Sequence, residues 1–208
     1  MPMYNDQTEA GSLSGGDIKS FATGNNNFQV KSNLYVLKSH YIATDKTSVL
    51  CKGDDCYFCK DVVSVTDANG KTKNKPRCPL KVDRYYFGTL NGVDCIMRVP
   101  YAVFEFMQTR EVERKLNKRG RLFSVIKKGS GLDTDYIPND EGAAIEPTLE
   151  ELNVNNAKLE GSVSRLEKYM ADKYSEFVGW DEAINSAGKE DSKFEGLDIE
   201  DTSFPPKE

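Results

Sequence analysis

HYIATDKTSVLCKGDDCYFC, residues 40–59, holds the only histidine of the chain and three of its five cysteines. Cys56-Tyr57-Phe58-Cys59 is a knuckle that offers two sulfurs from one tight turn, with Cys51 a short loop upstream and His40 further back. Three thiolates and one imidazole suit a tetrahedral zinc ion, which closes structural sites with four protein ligands. A redox Cys-x-x-Cys would want a helix behind it and no third cysteine close by. The stretch therefore predicts a structural Zn2+ on His40, Cys51, Cys56 and Cys59, with Cys78 in reserve should His40 point away. Four local ligands leave no open position for a catalytic water.

Upstream, FQVKSNLYVL (28–37) alternates and is rich in β-formers, a strand that runs straight towards His40. Downstream, Val62, Val63 and Val65 make a short strand, Asn69-Gly70 a turn, and Lys71, Lys73, Lys75 and Arg77 a basic limb. KVDRYYFGTL and VDCIMRV then flank Asn91-Gly92, the preferred pair for a two-residue type I′ hairpin. In its first strand Val82, Arg84, Tyr86 and Leu90 share one face, and Lys81, Tyr85, Phe87 and Thr89 the other. The row Val82, Tyr86 and Leu90 reads as core, which leaves Tyr85 and Phe87 as the open face. Pro100 opens an amphipathic helix that ends by Gly120, RLFSVIKK (121–128) returns as a strand, and LDTDYIP closes the sheet.

The fold class expected is mainly β with helices (α+β): an OB-like barrel with an inserted zinc-binding subdomain and an acidic helical and disordered C-terminal region. Residues 1–24, rich in Gly, Ser, Asn and Asp, read as a flexible arm, and 25–138 as the body, with the zinc loop at 40–78. Residues 139–188 read as a linker and helical region, with a capping box at Thr148-Leu149-Glu150-Glu151 and an amphipathic helix over 162–185. Residues 189–208 are acidic and carry too little apolar surface to fold alone, so a disordered tail is expected.

Residues 1–138 carry 21 Lys+Arg and 15 Asp+Glu, a net of +6, whereas 139–208 carry 7 and 18, a net of −11. A basic body of this kind suits a polyanion. No apolar run approaches the length of a membrane span, and the N-terminus lacks the basic and apolar segments of a leader. Cysteines gathered around one histidine fit reduced thiols, hence a reducing cytoplasm. With the histidine used as a ligand, and with neither GxxxxGK[ST] nor GxGxxG present, an enzyme is not expected. Single strands are held by a cationic groove and by rings on which bases stack. The candidates are Arg77, Lys81, Arg84, Tyr85, Phe87, Arg98, Arg121, Lys127, Lys128 and Tyr136, with Phe104 and Phe123 assigned to the core. The alternative is a zinc-ribbon adaptor that binds protein partners in transcription or assembly through the same surface.

A strand leads into His40, then come Cys51-x4-Cys56-x2-Cys59, Arg84-Tyr85-Tyr86-Phe87, the Asn-Gly hairpin, a helix, and a strand into Gly129-Ser130-Gly131-Leu132-Asp133-Thr134-Asp135-Tyr136. This order resembles the zinc-containing single-stranded DNA-binding proteins of tailed phages, the T-even helix-destabilising type, over residues 25–138 in pattern and over the tail in composition. The resemblance implies an OB fold with a His and three Cys zinc subdomain beside the DNA cleft. It also implies an arm that supports self-association on DNA and an acidic tail that recruits replication and recombination proteins. Coating and protecting single-stranded DNA during viral replication, recombination and repair, in the cytoplasm of a host cell, is the function it carries.

Overall fold

The computed structural model describes residues 18–43, 45–66, 69–114 and 117–178. In chain order these form β1 (Ile18–Lys19), β2 (Gly24–Val30), β3 (Tyr35–Ile42), β4 (Thr47–Leu50), α1 (Tyr57–Lys60), β5 (Val62–Thr66), β6 (Thr72–Pro76), β7 (Leu80–Leu90) and β8 (Val93–Arg98). α2 (Tyr101–Arg114), β9 (Arg121–Lys128), β10 (Asp135–Ala143) and α3 (Leu149–Val178) follow. The class is α+β, with strands in the majority. Among the described residues two compact units emerge, 18–38 with Val82–Tyr169, and Ser39–Lys81 with 170–178.

The first unit is built on an open sheet in the order β1-β8-β7-β2-β9-β10. This path ends on β1 and β10 among the described residues, and the closure of an OB-like barrel is not part of it. The β7–β8 hairpin turns at Asn91 (φ 51°) and Gly92 (φ 82°), the pair of left-handed conformations that a type I′ turn demands. Register follows from the turn, with Leu90 opposite Val93, Phe87 opposite Ile96 and Tyr86 opposite Met97. Opposed residues share a face, so Tyr86, Cys95 and Met97 enter one core with Phe28, Val30, Phe123 and Val125, onto which α2 lays Val103 and Met107. Phe28 stacks on its register partner Phe123 with ring centroids 5.5 Å apart. Full burial of each such side chain contributes about 1.5–3 kcal/mol. Gly88 permits the close approach of β7 to β2, since a Cβ there would lie 2.0 Å from the carbonyl oxygen of Gln29.

Four boundaries differ from expectation, each for a local reason. The strand expected over 28–37 is two strands, β2 and β3. Between them the buried Ser32 accepts the N–H of Phe87 through Oγ (2.8 Å), so its side chain takes part in the backbone pairing. The last residues of the expected arm are ordered: Ile18 pairs with Ile96, and Phe21 is buried 5.1 Å from the Phe28 ring. Residues 1–17 lie outside the described residues. β10 continues through Pro138 to Ala143, five residues into the expected linker. An edge strand tolerates a proline there because one side of it needs no ladder N–H. The helix is a single one from Leu149, not 162. It starts at the capping box: the Thr148 N–H donates to Glu151 Oε2 (2.8 Å), and the Glu151 N–H donates to Thr148 Oγ1 (3.2 Å). Buried Asn155, Leu159, Val163, Met170 and Tyr174 recur along it at near-helical spacing. The tail 189–208 lies outside the described residues.

In the second unit Ser39–Ile42 of β3 pairs with β4, with His40 opposite Val49. β5 and β6 form a separate ribbon, with Val63 opposite Lys75 and Val65 opposite Lys73. Among the described residues no helix is long and apolar enough to cross a membrane.

Candidate metal centre and cationic surfaces

Three short pieces of chain carry the four ligands. His40 sits on a hydrogen-bonded strand, Cys51 follows β4, and Cys56 and Cys59 bracket the first turn of α1. A short helical turn over Gly53–Asp55, entered through Gly53 at φ +67°, swings the chain back so that the Cys56 N–H reaches the Gly53 carbonyl (3.1 Å). The ligand atoms of His40, Cys51, Cys56 and Cys59 all lie within 4.8 Å of one another, and the four could hold a metal ion. Cys51 Sγ is 3.6 Å from Cys59 Sγ, which in turn is 3.4 Å from His40 Nε2.

Cys78 takes part through its backbone. Its carbonyl oxygen lies 2.8 Å from His40 Nδ1, so it can accept that N–H. This bond sets the tautomer that frees Nε2 for an ion, as a carbonyl behind a ligating histidine does. His40 does not point away, and Cys78 is not a member of the ligand cluster. Burial pushes the Cys78 thiol up, with the Asp61 carboxylate adding to it. Burial also raises Cys59, to about 12, helped by its hydrogen bond to Cys51 and the charges of Cys56 and Cys51. At Cys56 burial acts in the same sense, but backbone hydrogen bonds from Lys52, Cys59 and Phe58 outweigh it and lower the thiol. Sulfurs packed this closely repel one another as thiolates, and a cation among them reverses that sign.

A small aromatic core supports the cluster. Phe58 is buried with Ile42, Val49, Cys56 and Tyr174. Its ring lies 5.6 Å from the His40 ring, 5.6 Å from Tyr174 and 4.9 Å from Phe177. The hydroxyl of Tyr174 accepts the Tyr57 N–H (3.0 Å), and Lys52 Nζ stands 4.2 Å from the centre of the same ring. Tyr174 and Phe177, on the last turns of α3, were not among the sequence-derived site residues. Their spacing of three along an amphipathic helix was the available signal, but only the fold says what the pair meets.

The expected nucleic-acid residues scatter. Tyr85 and Phe87 are 3% and 8% exposed, so the face expected to be open is covered; Tyr86 is fully buried in the core. Phe87 and its partner Ile96 face residues of α3 across a groove, with Lys158 Nζ 5.2 Å from the Phe87 ring centre. The guanidinium of Arg84 lies 5.0 Å from the Tyr101 ring and 4.9 Å from that of Phe104. Arg98 pairs with the buried Asp83 (2.8 Å), and Arg121 with Asp140 (2.8 Å). Lys127 donates to the Phe21 carbonyl (3.2 Å) and stands 6.0 Å from the ring of half-buried Tyr136. Lys128 and Lys81 are exposed. Arg77 is exposed and pairs with Asp61 (3.1 Å), beside Lys71, Lys73 and Lys75 on the exposed β5–β6 ribbon. Tyr101, one of the rings that the sequence offers for stacking, is 58% exposed and backed by Arg84. No protein-family model, curated protein or solved structure matches this chain.

Proposed function

We propose that this chain is a single-stranded DNA-binding protein of the kind that coats DNA in viral replication, recombination and repair, that it is not an enzyme, and that its metal is a structural Zn2+. The observation that carries the zinc assignment is the closed set of three sulfurs and one imidazole nitrogen within 4.8 Å. Zn–S bonds of about 2.3 Å in a tetrahedron imply sulfur–sulfur edges of about 3.8 Å. The 3.6 Å separation of the Cys51 and Cys59 sulfurs approaches that edge, and the 3.4 Å from Cys59 Sγ to His40 Nε2 approaches the shorter sulfur–nitrogen edge that a Zn–N bond of about 2.0–2.1 Å gives. Three thiolates also select zinc over harder divalent ions.

The DNA reading rests on the β5–β6 ribbon of the metal unit, where Lys73 and Lys75 are exposed and alternate along β6, with the exposed Arg77 just beyond its end. Such a limb neutralises phosphates without reading bases. Lys81, Lys127, Lys128 and Tyr136, with Tyr101 over Arg84, are further contacts in this reading. The OB-like topology belongs with the same proposal, supported by antiparallel hairpins on either side of one helix. So do recruitment of replication proteins by the acidic tail, self-association on DNA and a cytoplasmic setting.

A second reading, the zinc-ribbon adaptor, is favoured by Val62 and Val65, which are 51% and 41% exposed on the same ribbon. Titration of oligo-dT against a duplex of equal length, at several salt concentrations and with metal content measured on the same sample, separates the two. The DNA reading expects preference for oligo-dT and a steep loss with salt. Replacing Lys73 and Lys75 by alanine should then flatten the log–log salt slope by about 0.7 per lost contact. Equal weak binding to both oligonucleotides, untouched by the double replacement, would sink it and leave the adaptor.

A further inference from the structure

β5 and β6 make a two-stranded sheet to which no other described strand adds. Every residue of it except the half-buried Val63 is exposed. A ribbon open on both faces is marginal by itself, and further strands are what stabilise it. The hydrogen bond from the Arg77 N–H to the Asp61 carbonyl (3.0 Å) lies one step beyond the Val62–Pro76 pair and fixes the phase of the ladder. Antiparallel pairs alternate between those that exchange both backbone bonds and those whose N–H and C=O point outward. Val63–Lys75 and Val65–Lys73 are therefore bonded pairs. The backbone groups of Val62, Ser64 and Thr66 point away from the ribbon on one side, and those of Thr72, Asn74 and Pro76 on the other.

The two outer edges differ. β6 carries Lys73 and Lys75 and, at an outward position, Pro76, which has no N–H to offer. Lysine and proline are the devices that keep a sheet edge from pairing. β5, Val62-Val63-Ser64-Val65-Thr66, has neither, and carries Val62 and Val65 at 51% and 41% exposure. Its hydroxyls are engaged inside the ribbon, Ser64 Oγ with Asn74 (2.8 Å) and Thr66 Oγ1 with Thr72 (3.0 Å), so recognition at this edge falls to the backbone. The strand is also self-complementary. Set antiparallel to a second copy about Ser64, it places Val62 opposite Thr66 of the other copy, and every outward N–H meets an outward C=O. Val63 then falls opposite Val65 of the other copy at the non-bonded position, where side chains are closest.

We propose that two copies of this chain join through their β5 edges, antiparallel and centred on Ser64, into one four-stranded sheet. Its twofold axis stands perpendicular to the sheet, so the Lys73 and Lys75 rows of both copies lie on one face. Strand spacing puts these rows about 14 Å apart. That exceeds the Debye length of about 8 Å at physiological ionic strength, so their repulsion does not prevent the pairing. Edges of five residues bury less than a standard interface, which makes the contact weak and concentration-dependent. It is a surface for the self-association in the reading above, and it forms without DNA.

Sedimentation velocity of the full chain, purified without chelator and run without DNA over a wide range of protein concentration, tests it, with Ser64→Pro and Val65→Glu as variants. The wild type should pass from monomer to dimer as concentration rises, and the dimer should be as tight or tighter at high salt, since screening only removes repulsion. Ser64→Pro withdraws an outward N–H from each copy, leaves the inner ladder bonds in place, and should weaken the dimer at least about tenfold. Val65→Glu should also weaken it by bringing two carboxylates to the seam, while its register partner Lys73 keeps the ribbon paired. In a Ser64→Cys variant a short thiol cross-linker should join the copies, and in Thr72→Cys, on the guarded edge, it should add nothing. A monomer at every concentration, a dimer that neither variant weakens, equal cross-linking from Thr72→Cys, or dissociation by salt overturns the proposal. Dissociation by salt would mean that an acidic segment occupies the lysines instead. Should Ser64→Pro fail to fold, wild-type dimerisation in Val65→Glu is sufficient to reject it. A dimer without preference for oligo-dT would count against the DNA-coating reading and not against this edge.

Discussion

In the metal unit, four candidate ligands drawn from residues 40–59 converge within 4.8 Å, and among the described residues the buried cluster beside them has five members, Ile42, Val49, Cys56, Phe58 and Tyr174. In the sheet unit, the main core cluster among the described residues has twelve buried members between Phe21 and Val125, and none of them has to be a particular chemical ligand. A core of five is too small to offset the entropy of ordering some forty residues of chain, at about 1–2 kcal/mol each. Metal coordination is the term that can close that gap, because a site absent from the unfolded chain converts binding energy into folding energy. The sheet unit has the opposite profile, with many exchangeable apolar contacts and no indispensable one.

The largest effect should come from breaking this asymmetry at the metal. A strong chelator removes a contribution of order 10 kcal/mol if the ion is structural zinc, and Cys56→Ser, which takes away one of four ligands, removes part of it. Amide exchange and proteolysis should rise over residues 39–81 and 170–178 while β2 and β9 stay protected. Uniform loss of protection in both units would show that the two are one cooperative body and end the contrast drawn above.

Next come single cuts into the sheet core. Phe28→Ala should cost about 3–5 kcal/mol, through lost transfer energy and the cavity left against Phe123. Gly88→Ala should also destabilise markedly, since its Cβ would collide with the Gln29 carbonyl. In both variants the metal content should stay at the wild-type level. A metal-depleted Phe28→Ala protein would mean that the sheet holds the ligand cluster together.

Smaller effects sharpen the picture inside the metal unit. Tyr174→Phe removes the hydroxyl that accepts the Tyr57 N–H and should cost about 1–3 kcal/mol if that N–H is left without a partner. Denaturant midpoints of the metal-loaded protein read this directly, and no change would mean that water replaces the hydroxyl. Cys78→Ser should have the least effect of all. The carbonyl that receives His40 is retained, so metal stoichiometry should not change, whereas His40→Ala should lower it. Equal metal loss in the two variants would make Cys78 a ligand after all.

What was legible from sequence was whatever acts over a short stretch of chain. His40, Cys51, Cys56 and Cys59 announce themselves because ligand chemistry admits few residue types and the knuckle brings two sulfurs together in one turn. Asn91-Gly92 announces its hairpin because few residues adopt left-handed φ twice in succession. The capping box at Thr148 and the strand Arg121–Lys128 were equally local. The second face of β7 was not legible. Alternation says that Tyr85 and Phe87 oppose Tyr86, but not that one face meets α2 and the other meets a helix some seventy residues further on. Nor could the sequence say that Arg98 and Arg121 would spend their charge on Asp83 and Asp140. Tyr174 and Phe177 belong beside Phe58, more than a hundred residues away in the chain. The ligand set follows from local chemistry, whereas the exposure of every ring and cation depends on which distant segment covers it, and only tertiary packing decides that.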